Sequence, residues 1–269
     1  MKHKRKKLIR LCVVMMCCAF VLYAISFVLA GAENQGNNQI AEGNTQPATE
    51  ETENIRKKIP SYKIEGVPVI AQTELKSGCE TYAATMLMQH LGFEIDEITF
   101  ADNYLISRDV YFGEDGNRYG PDPNSAFSGD VHTGYGWCIY CPAMAKSMNN
   151  YFKSENSKLV ATPIEGVTLD DLCYRYIIND IPVMIWGTTN MEEAYESDSW
   201  IVDYTDENAK YKPGETFTWL QNEHCLVLIG FDKENYYFCD SCAGDVSVFD
   251  KKTSEQRYKQ LSMQAIVVE

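Results

Sequence analysis

The strongest constraint on this chain is an apolar run near its N-terminus. Residues 8–30 carry no charge after Arg10, and six basic residues lie within the first ten positions. About 20 apolar residues suffice to cross a bilayer as a helix, and flanking basic residues stay on the cytoplasmic side. A core helix would need a polar face, which this run lacks. The pattern predicts a cytoplasmic basic tail over residues 1–7 and a membrane segment over residues 8–30.

Two outcomes stay open for the membrane segment. The sequence AGA at 30–32 fits an A-x-A signal-cleavage site, whereas the apolar run exceeds the roughly 7 to 15 residues of a usual signal core. We favour an uncleaved single-pass anchor that leaves the C-terminal domain extracellular. Secretion after cleavage is the alternative.

A polar segment follows the membrane segment. Within residues 31–58 the large apolar side chains are Ile40 and Ile55. Such a stretch cannot bury enough surface to offset the entropy lost on ordering. The composition predicts a disordered stalk over residues 31–58 and a folded domain over residues 59–269.

Charge excludes one class of partner. The chain has 24 basic and 38 acidic residues. Without the six basic residues of the first ten positions, 18 basic residues stand against 38 acidic ones, a net charge of −20. A nucleic-acid-binding protein needs a basic surface, so no nucleic-acid partner is expected.

A cysteine opens the first helical pattern of the domain. In ELKSGCETYAATMLMQHLG, residues 74–92, apolar side chains recur at helical spacing and Gly92 is a suitable stop, which predicts a helix from about Glu80 to Leu91. A thiol at a helix N-terminus is expected to have a lowered pKa, and the thiolate is the nucleophilic form. Cys79 is therefore a candidate nucleophile.

A nucleophilic thiol needs a base and a group that orients the base. His224 begins a predicted strand, 224–231, and Asp240 ends the next one, 236–240. Both residues lie eight positions from Asp232, so the hairpin is expected to hold them level on one face. A carboxylate there fixes the tautomer of the imidazole. We predict a catalytic triad of Cys79, His224 and Asp240.

The other patterns predict a chain whose helices come early and whose strands come late, which is an α+β fold. The remaining predicted elements are a strand at 67–70, a long loop at 111–136, helices at 142–152 and 169–178, and a buried strand at 182–186.

Four stretches together resemble one family. VPVIAQTELKSGCETYAATMLMQHLG, DPNSAFSGDVHTGYGWCIYCPAMA, IPVMIWGTT and EHCLVLIGFDKENYYFCDS, in this order, are similar to the peptidase C39-like family of papain-like cysteine proteases over residues 64–243. The resemblance implies a papain-like fold, in which an N-terminal helix carrying the Cys packs on an antiparallel sheet carrying His and Asp. It implies Cys79 as nucleophile, His224 as base, Asp240 as the orienting acid and Gln72 as an oxyanion-hole donor. Relatives often have Asp-Pro where this chain has Asp240-Ser241.

The function expected from these residues and this resemblance is that of a cell-surface cysteine peptidase or related amide hydrolase. Its substrate would be a peptide or a peptidoglycan stem peptide, with no cofactor and no metal. The alternative is an extracellular binding module that keeps the fold without turnover. Substrate identity and oligomeric state stay open.

The cysteines allow further interpretations. Beyond the membrane segment the chain has Cys79, Cys138, Cys141, Cys173, Cys225, Cys239 and Cys242. An odd number outside the cell fits three disulfides with Cys79 free. Two Cys-x-x-Cys pairs suggest zinc, although Asp240 interrupts the second pair. A thioredoxin-like reading of WCIYC is rejected, because turn formers rather than a strand precede it. Reduced, buried thiols are the plain alternative.

Aromatic side chains crowd the predicted long loop, and we expect them to line the rim of a cleft. They are Tyr111, Phe112, Phe127, Tyr135 and Trp137. The acidic and aromatic segment 191–212 is predicted to be a surface insertion.

Overall fold

A computed structural model describes the backbone of residues 41–42 and 50–269, and the side chains from residue 54 onward. The predicted tail and membrane segment, residues 1–30, lie outside the described residues. Among the residues that are described, none belongs to a helix with the length and apolar character needed to cross a membrane.

Helices and strands alternate along the described chain. The helices are α1 (Glu50–Lys58), α2 (Cys79–His90), α3 (Glu97–Asn103), α4 (Cys141–Ser154), α5 (Leu169–Arg175) and α6 (Lys251–Gln260). The strands are β1 (Ala41–Glu42), β2 (Tyr62–Lys63), β3 (Ser107–Arg108), β4 (Tyr111–Phe112), β5 (Arg118–Pro121), β6 (Phe127–Ser128), β7 (Ala161–Glu165), β8 (Val183–Thr188), β9 (Tyr195–Tyr204), β10 (Thr216–Gln221), β11 (Glu223–Phe231), β12 (Asn235–Asp240), β13 (Asp245–Asp250) and β14 (Gln264–Val268).

The main sheet has the order β1-β7-β14-β8-β11-β12-β13, with β2 paired to β11. All its pairings are antiparallel except that of β1 with β7. Every residue of β11 is buried, so this strand lies in the middle of the protein. The structure is therefore a mixed α/β fold built on an antiparallel sheet.

Both faces of the main sheet are covered, because residues of β11 alternate between two cores. Cys225, Val227 and Ile229 pack with α2 and α4, while Leu226 and Leu228 pack with α5 and α6. Helix α2 thus lies against the strand that carries His224.

A smaller sheet, β10-β9-β5-β4, forms beside the main one. Strand β5 runs parallel to β9, which lies more than 70 residues later in the chain. Residues 111–136 were predicted as a loop, and they do contain turns, but they also supply β4, β5 and β6. The sequence pattern does not reveal these strands, because β4 and β6 are only two residues long and β5 pairs with β9 far along the chain.

Most predicted elements are present, with two corrections besides the loop. The helices at 80–91 and 142–152 and the hairpin strands are confirmed within one or two residues, whereas α5 ends at Arg175 and a 3-10 turn, Ile177–Asn179, follows. The strand predicted at 67–70 is wrong. Val67, Val69 and Ile70 pack on the core without forming a strand.

Part of the predicted stalk is ordered. Residues Glu50–Lys58 form α1 rather than a disordered segment. Arg56 explains the difference, because its guanidinium donates to Asp171 at 2.7 Å and lies 3.2 Å from Asp170 at the first turn of α5. A charged side chain with two acidic partners anchors a segment that has little apolar surface to bury.

Candidate active site

The turn that leads into α2 is held by close packing and by one tyrosine. The hydroxyl of Tyr82 accepts hydrogen bonds from the backbone N–H groups of residues 73–75. A Cβ on Gly78 would lie 2.7 Å from the Cβ of Leu75, so only glycine fits there without a shift. These contacts fix the point at which the helix begins, which is Cys79.

The thiol of Cys79 contacts a carboxylate. Its sulfur donates to Oε2 of Glu80 at 3.2 Å. Burial, followed by the charges of Glu80 and Glu223, raises the pKa of Cys79 well above its usual value, although the backbone N–H of Cys225 acts in the opposite direction. The expected lowering of this pKa is therefore wrong, because burial of the thiol, followed by the charges of the two acids, outweighs the helix N-terminus.

His224 and Asp240 form a buried ion pair. Nε2 of His224 lies 2.8 Å from Oδ1 of Asp240, and the two residues are 1% and 2% exposed. Burial disfavours the charged imidazole, but hydrogen bonds with Asp240 and Cys242 outweigh it and raise the pKa of His224 to about 10. Burial likewise opposes ionisation of Asp240, yet the contacts with His224 and Ser247 leave its pKa below the usual value.

The two residues of the pair are diagonal neighbours rather than level ones. Strand β12 pairs Cys239 with Val227, and a bulge lies between Leu228 and Gly230. This register sets Asp240 two positions from the residue opposite His224, so both side chains share a face but are offset. The prediction of a shared face is correct. The prediction of level side chains is wrong, because it counted from Asp232 and not from the middle of the 232–235 turn; the bulge, which adds one residue to β11, brings the offset to two positions.

The register explains which thiol reaches the imidazole. Cys242 follows β12 at the position opposite His224, and its sulfur lies 3.8 Å from Nδ1 of His224. Cys242 is exposed, whereas Cys79 is partly buried. Sequence analysis did not single out Cys242 as a neighbour of the base.

Cys79 and His224 are near each other but have different partners. The backbone N–H of Cys225, the residue after His224, faces the Cys79 sulfur. The charge of His224 also acts on Glu80, which holds the thiol. Among the described residues, however, no hydrogen bond joins Cys79 to His224. The structure brings His224 and Asp240 together, and the complete triad stays a prediction.

Gln72 lies beside the same residues. Its Oε1 accepts from Ser241 at 3.2 Å and from Cys242 at 3.7 Å. Its Nε2 donates to the carbonyl of Leu75 at 2.9 Å and to that of Lys76 at 3.3 Å. The role of Gln72 in an oxyanion hole stays a prediction, and acting as a donor to a substrate would require one of these two bonds to open.

The cysteines do not support the disulfide interpretation. All seven cysteines of the described chain are free thiols, and five of them are buried. Within the same residues, one trio of possible metal ligands lies within 4.8 Å, namely His224, Asp240 and Cys242. The His224–Asp240 ion pair accounts for that trio, and the two Cys-x-x-Cys pairs do not come together as a zinc site.

A cleft opens beside the two segments that carry Cys79 and His224. Its volume is about 540 Å³, and its walls include Phe112, Tyr135 and Trp137 from the predicted rim. Two other members of that predicted rim lie elsewhere, since Phe127 is buried in the core and Tyr111 bonds to Asp203 on the surface.

The position of this cleft relative to the site follows from its ends. At one end, a Cβ on Gly136 would lie 2.7 Å from the Cβ of Ser77, two residues before Cys79. At the other end, the lining includes Gln221, three residues before His224. The cleft therefore borders the turn before α2 and the end of β10, and its lining residues include neither Cys79 nor His224.

The sequence does not reveal that two acids beside the site are buried. Glu80 is 1% exposed and Glu223 is 8% exposed. Each directly neighbours a predicted site residue, and that adjacency is the signal the sequence offers. An acidic residue in a first helical turn is normally explained by the helix dipole, so Glu80 did not stand out.

Together, the antiparallel sheet, the helix that begins at a cysteine and the buried His–Asp pair define a protein of the cysteine-peptidase-like class. The sequence profile of the Peptidase_C39 like family matches residues 64–266, and the chain belongs to that family.

The chain is similar to several known proteins. The chain is 22% identical to the uncharacterized protein YvpB of Bacillus subtilis (strain 168), over 98% of this chain and 99% of that protein. It is also similar to the crystal structure of a protein described as a C39-like peptidase from Bacillus anthracis, with a TM-score of 0.63, 24% identity, and coverage of 78% of this chain and 97% of the other. A cysteine protease from Xylella fastidiosa, Xylellain, matches with a TM-score of 0.39 and 12% identity over 78% of this chain and 86% of the other.

Proposed function

We propose that this chain is a cysteine peptidase, or a related amide hydrolase, whose nucleophile is Cys79. The observation that carries the proposal is the buried His224–Asp240 ion pair next to a helix that begins at a cysteine. Membership of the C39-like family supports the same reaction class.

His224 acts first as a general acid in this mechanism. Its pKa of about 10 keeps the imidazole protonated at neutral pH, and Asp240 stabilises the cation. The Cys79 thiolate attacks the amide carbonyl carbon, and His224 gives its proton to the leaving amine. The neutral imidazole then takes a proton from water, the hydroxide attacks the thioester, and the Cys79 sulfur leaves.

The developing oxyanion needs donors near Cys79. In this proposal the backbone N–H of Cys79 is one donor, and Gln72 becomes the other by releasing the longer of its two bonds, the one to Lys76. Such a donor typically contributes about 3 kcal/mol to transition-state stabilisation.

The cleft beside the site suits an extended peptide with a large apolar side chain. Its volume of about 540 Å³ lies in the range of ligand sites. Aromatic side chains form much of its wall, while Arg118 and Asp198 neutralise each other at 2.6 Å. We propose peptides, including peptidoglycan stem peptides, as the substrate class.

The direct test is cleavage by the purified full-length chain. It is incubated separately with a complex peptide mixture and with purified peptidoglycan, and new termini are identified by mass spectrometry. We expect cleavage by wild type, loss of cleavage in Cys79→Ser and in His224→Ala, and retained cleavage in Cys242→Ser. If wild type cleaves neither substrate but binds one of them, the non-catalytic binding module is correct.

We further propose that residues 8–30 anchor the chain in the membrane and leave the domain extracellular. The support is the apolar run and the basic cluster before it. A protease added to intact cells should then digest the domain, and a domain protected until the cells are lysed would contradict this orientation.

A further inference from the structure

The buried carboxylate of Glu80 accepts a hydrogen bond from the Cys79 thiol, whose proton the proposed reaction must remove. Oε2 of Glu80 accepts the thiol hydrogen of Cys79 at 3.2 Å, and Oε1 accepts from the backbone N–H of Ile139 at 3.0 Å. The Ile139 carbonyl in turn accepts from the indole of the buried Trp186 at 2.9 Å. Glu80 is therefore fixed at the thiol by contacts on both of its oxygens.

The usual acceptor of the thiol proton already carries a proton. Nε2 of His224 is committed to Asp240, and Nδ1 faces the sulfur of Cys242 at 3.8 Å. An imidazolium ion has no lone pair with which to accept another proton. The thiol hydrogen of Cys79 is in contact with Glu80, so a carboxylate is the available base.

Several titratable groups surround Glu80. Cys79 lies beside it on α2, and β11 contributes Glu223, His224 and Cys225. The segment before α4 adds Cys138, whose own ionisation is opposed by the charge of Glu80.

The ionisation of Glu80 lies in the range that a base at neutral pH requires. Burial raises the pKa of Glu80 to about 7, although hydrogen bonds from backbone N–H groups and from Cys79 act the other way. The pKa of Glu223 is raised well above its usual value by burial and then by the charge of Glu80, so a charged Glu80 opposes the ionisation of Glu223.

We propose that Glu80 is a further catalytic residue, whose carboxylate accepts the proton of the Cys79 thiol and so forms the attacking thiolate. This inference rests on the proposed function. The S–H bond breaks, an O–H bond forms at Oε2, and the total charge does not change. The product is a thiolate, a neutral Glu80 and the His224 cation. When the Cys79 sulfur leaves the thioester, Glu80 returns the proton to it. No reactant besides substrate and water is needed.

The test is the pH dependence of Cys79 alkylation in the full-length chain. Iodoacetamide is the probe, and the Cys79 peptide is quantified by mass spectrometry between pH 5 and 10. This readout requires no substrate, so it is independent of whether the chain hydrolyses peptides. We expect the wild-type alkylation rate to rise with pH and to level off above about pH 7 as Glu80 ionises. It should rise again at higher pH, where the Cys79–Glu80 pair loses its second proton.

The variants separate Glu80 from His224 as the base. In Glu80→Gln the plateau should disappear, and the rate should rise steadily with pH without levelling off near neutrality, because burial still keeps the pKa of Cys79 above its usual value. His224→Ala should keep the plateau and move its onset to higher pH, because the His224 charge lowers the pKa of Glu80. The matched control is Glu74→Gln, an exposed acid five residues before Cys79, which should match wild type.

Three results would overturn the inference. One is an unchanged profile in Glu80→Gln, and another is loss of the neutral-pH step in His224→Ala alone. The third is a wild-type profile with a single step, which needs no variant and so decides the matter even if Glu80→Gln fails to fold. Absence of peptide cleavage with the Glu80-dependent plateau intact would count against the proposed function and leave the proton transfer standing.

Discussion

Residue by residue, burial sets the charges around the thiol. Cys79 begins a helix, a position that favours a thiolate, yet its pKa is raised, first by its own burial and then by the charges of Glu80 and Glu223. His224, the second residue of β11, is buried too, but its contact with Asp240 keeps it charged. Burial thus opposes the charged forms of Glu80, Glu223 and His224 alike, and at His224 the contacts with Asp240 and Cys242 outweigh it.

Glu223 should make the protein less stable at alkaline pH. Its raised folded-state pKa means that the native state holds a proton that the unfolded chain has lost, so stability falls as pH rises above about 4.3, the pKa in the unfolded chain. Glu223→Gln cannot ionise and should gain stability relative to wild type by at most about 1.4 kcal/mol per pH unit across this window. Urea unfolding between pH 5 and 9 measures it.

Glu234→Gln, at an exposed acid in the β11–β12 turn, is the control for this prediction and should follow wild type. If Glu223→Gln keeps the same pH dependence as wild type, Glu223 is ionised in the folded protein and the electrostatic account of the site is wrong.

Breaking the ion pair should destabilise the protein. Asp240→Ala leaves the buried His224 without its partner, a change that typically costs about 3–5 kcal/mol. Ser247→Ala is the control, because it removes only the 2.9 Å bond to the other oxygen of Asp240, worth about 1 kcal/mol.

The pH dependence of the Asp240→Ala effect has a definite sign. The raised pKa of His224 gives stability that is complete below about pH 6.5 and is lost as pH rises through about 10. The difference between wild type and Asp240→Ala should therefore shrink on going from pH 6 to pH 10. Denaturant unfolding curves measure it, and an equal difference at both pH values contradicts a charged His224.

Among the elements, the sequence predicts those that depend on local patterns and misses those that depend on distant partners. Helix α2 and the β11–β12 hairpin follow from periodicity and turn residues, so they are found nearly in place. The bulge in β11 and the pairing of β5 with β9 leave no local pattern. For the same reason the sequence places His224 and Asp240 on one face, but does not reveal that Cys242 lies opposite His224.

The turn before α2 should tolerate no side chain at Gly78. Its added Cβ would meet the Cβ of Leu75 at 2.7 Å, which forces the turn to move and displaces the start of the helix. Gly78→Ala should therefore reduce the alkylation rate of Cys79 at pH 8, while the thermal midpoint of unfolding changes little. Gly134→Ala is the control, because a Cβ there meets nothing within 4 Å; an equal loss in both variants would contradict the packing argument.

For the whole molecule, the cleft links the smaller sheet to the site. The aromatic wall is built from segments that the sequence suggested only as a loop rim, and its placement depends on the β5–β9 pairing. Phe112 and Tyr135 are 69% and 77% exposed, which leaves their rings available to a substrate.

Removing these rings should weaken substrate binding without changing the chemistry. In Phe112→Ala and Tyr135→Ala we expect KM for a cleaved peptide to rise several-fold, while kcat stays close to that of wild type, because lost apolar contact affects ground state and transition state alike. Val160→Ala removes another exposed apolar side chain, outside the cleft, and should change neither constant. A fall in kcat with KM unchanged would place these rings in the chemical step instead.

The most direct measurement of the central claim is the site of a covalent adduct. A peptide bearing a thiol-reactive ketone and one aromatic side chain is added to the full-length chain at pH 7.5, and the modified cysteine is identified by peptide mass spectrometry. The account predicts one adduct, on the partly buried Cys79, and no adduct in Cys79→Ser. An adduct on the exposed Cys242 instead, or equal labelling of both thiols, would contradict it.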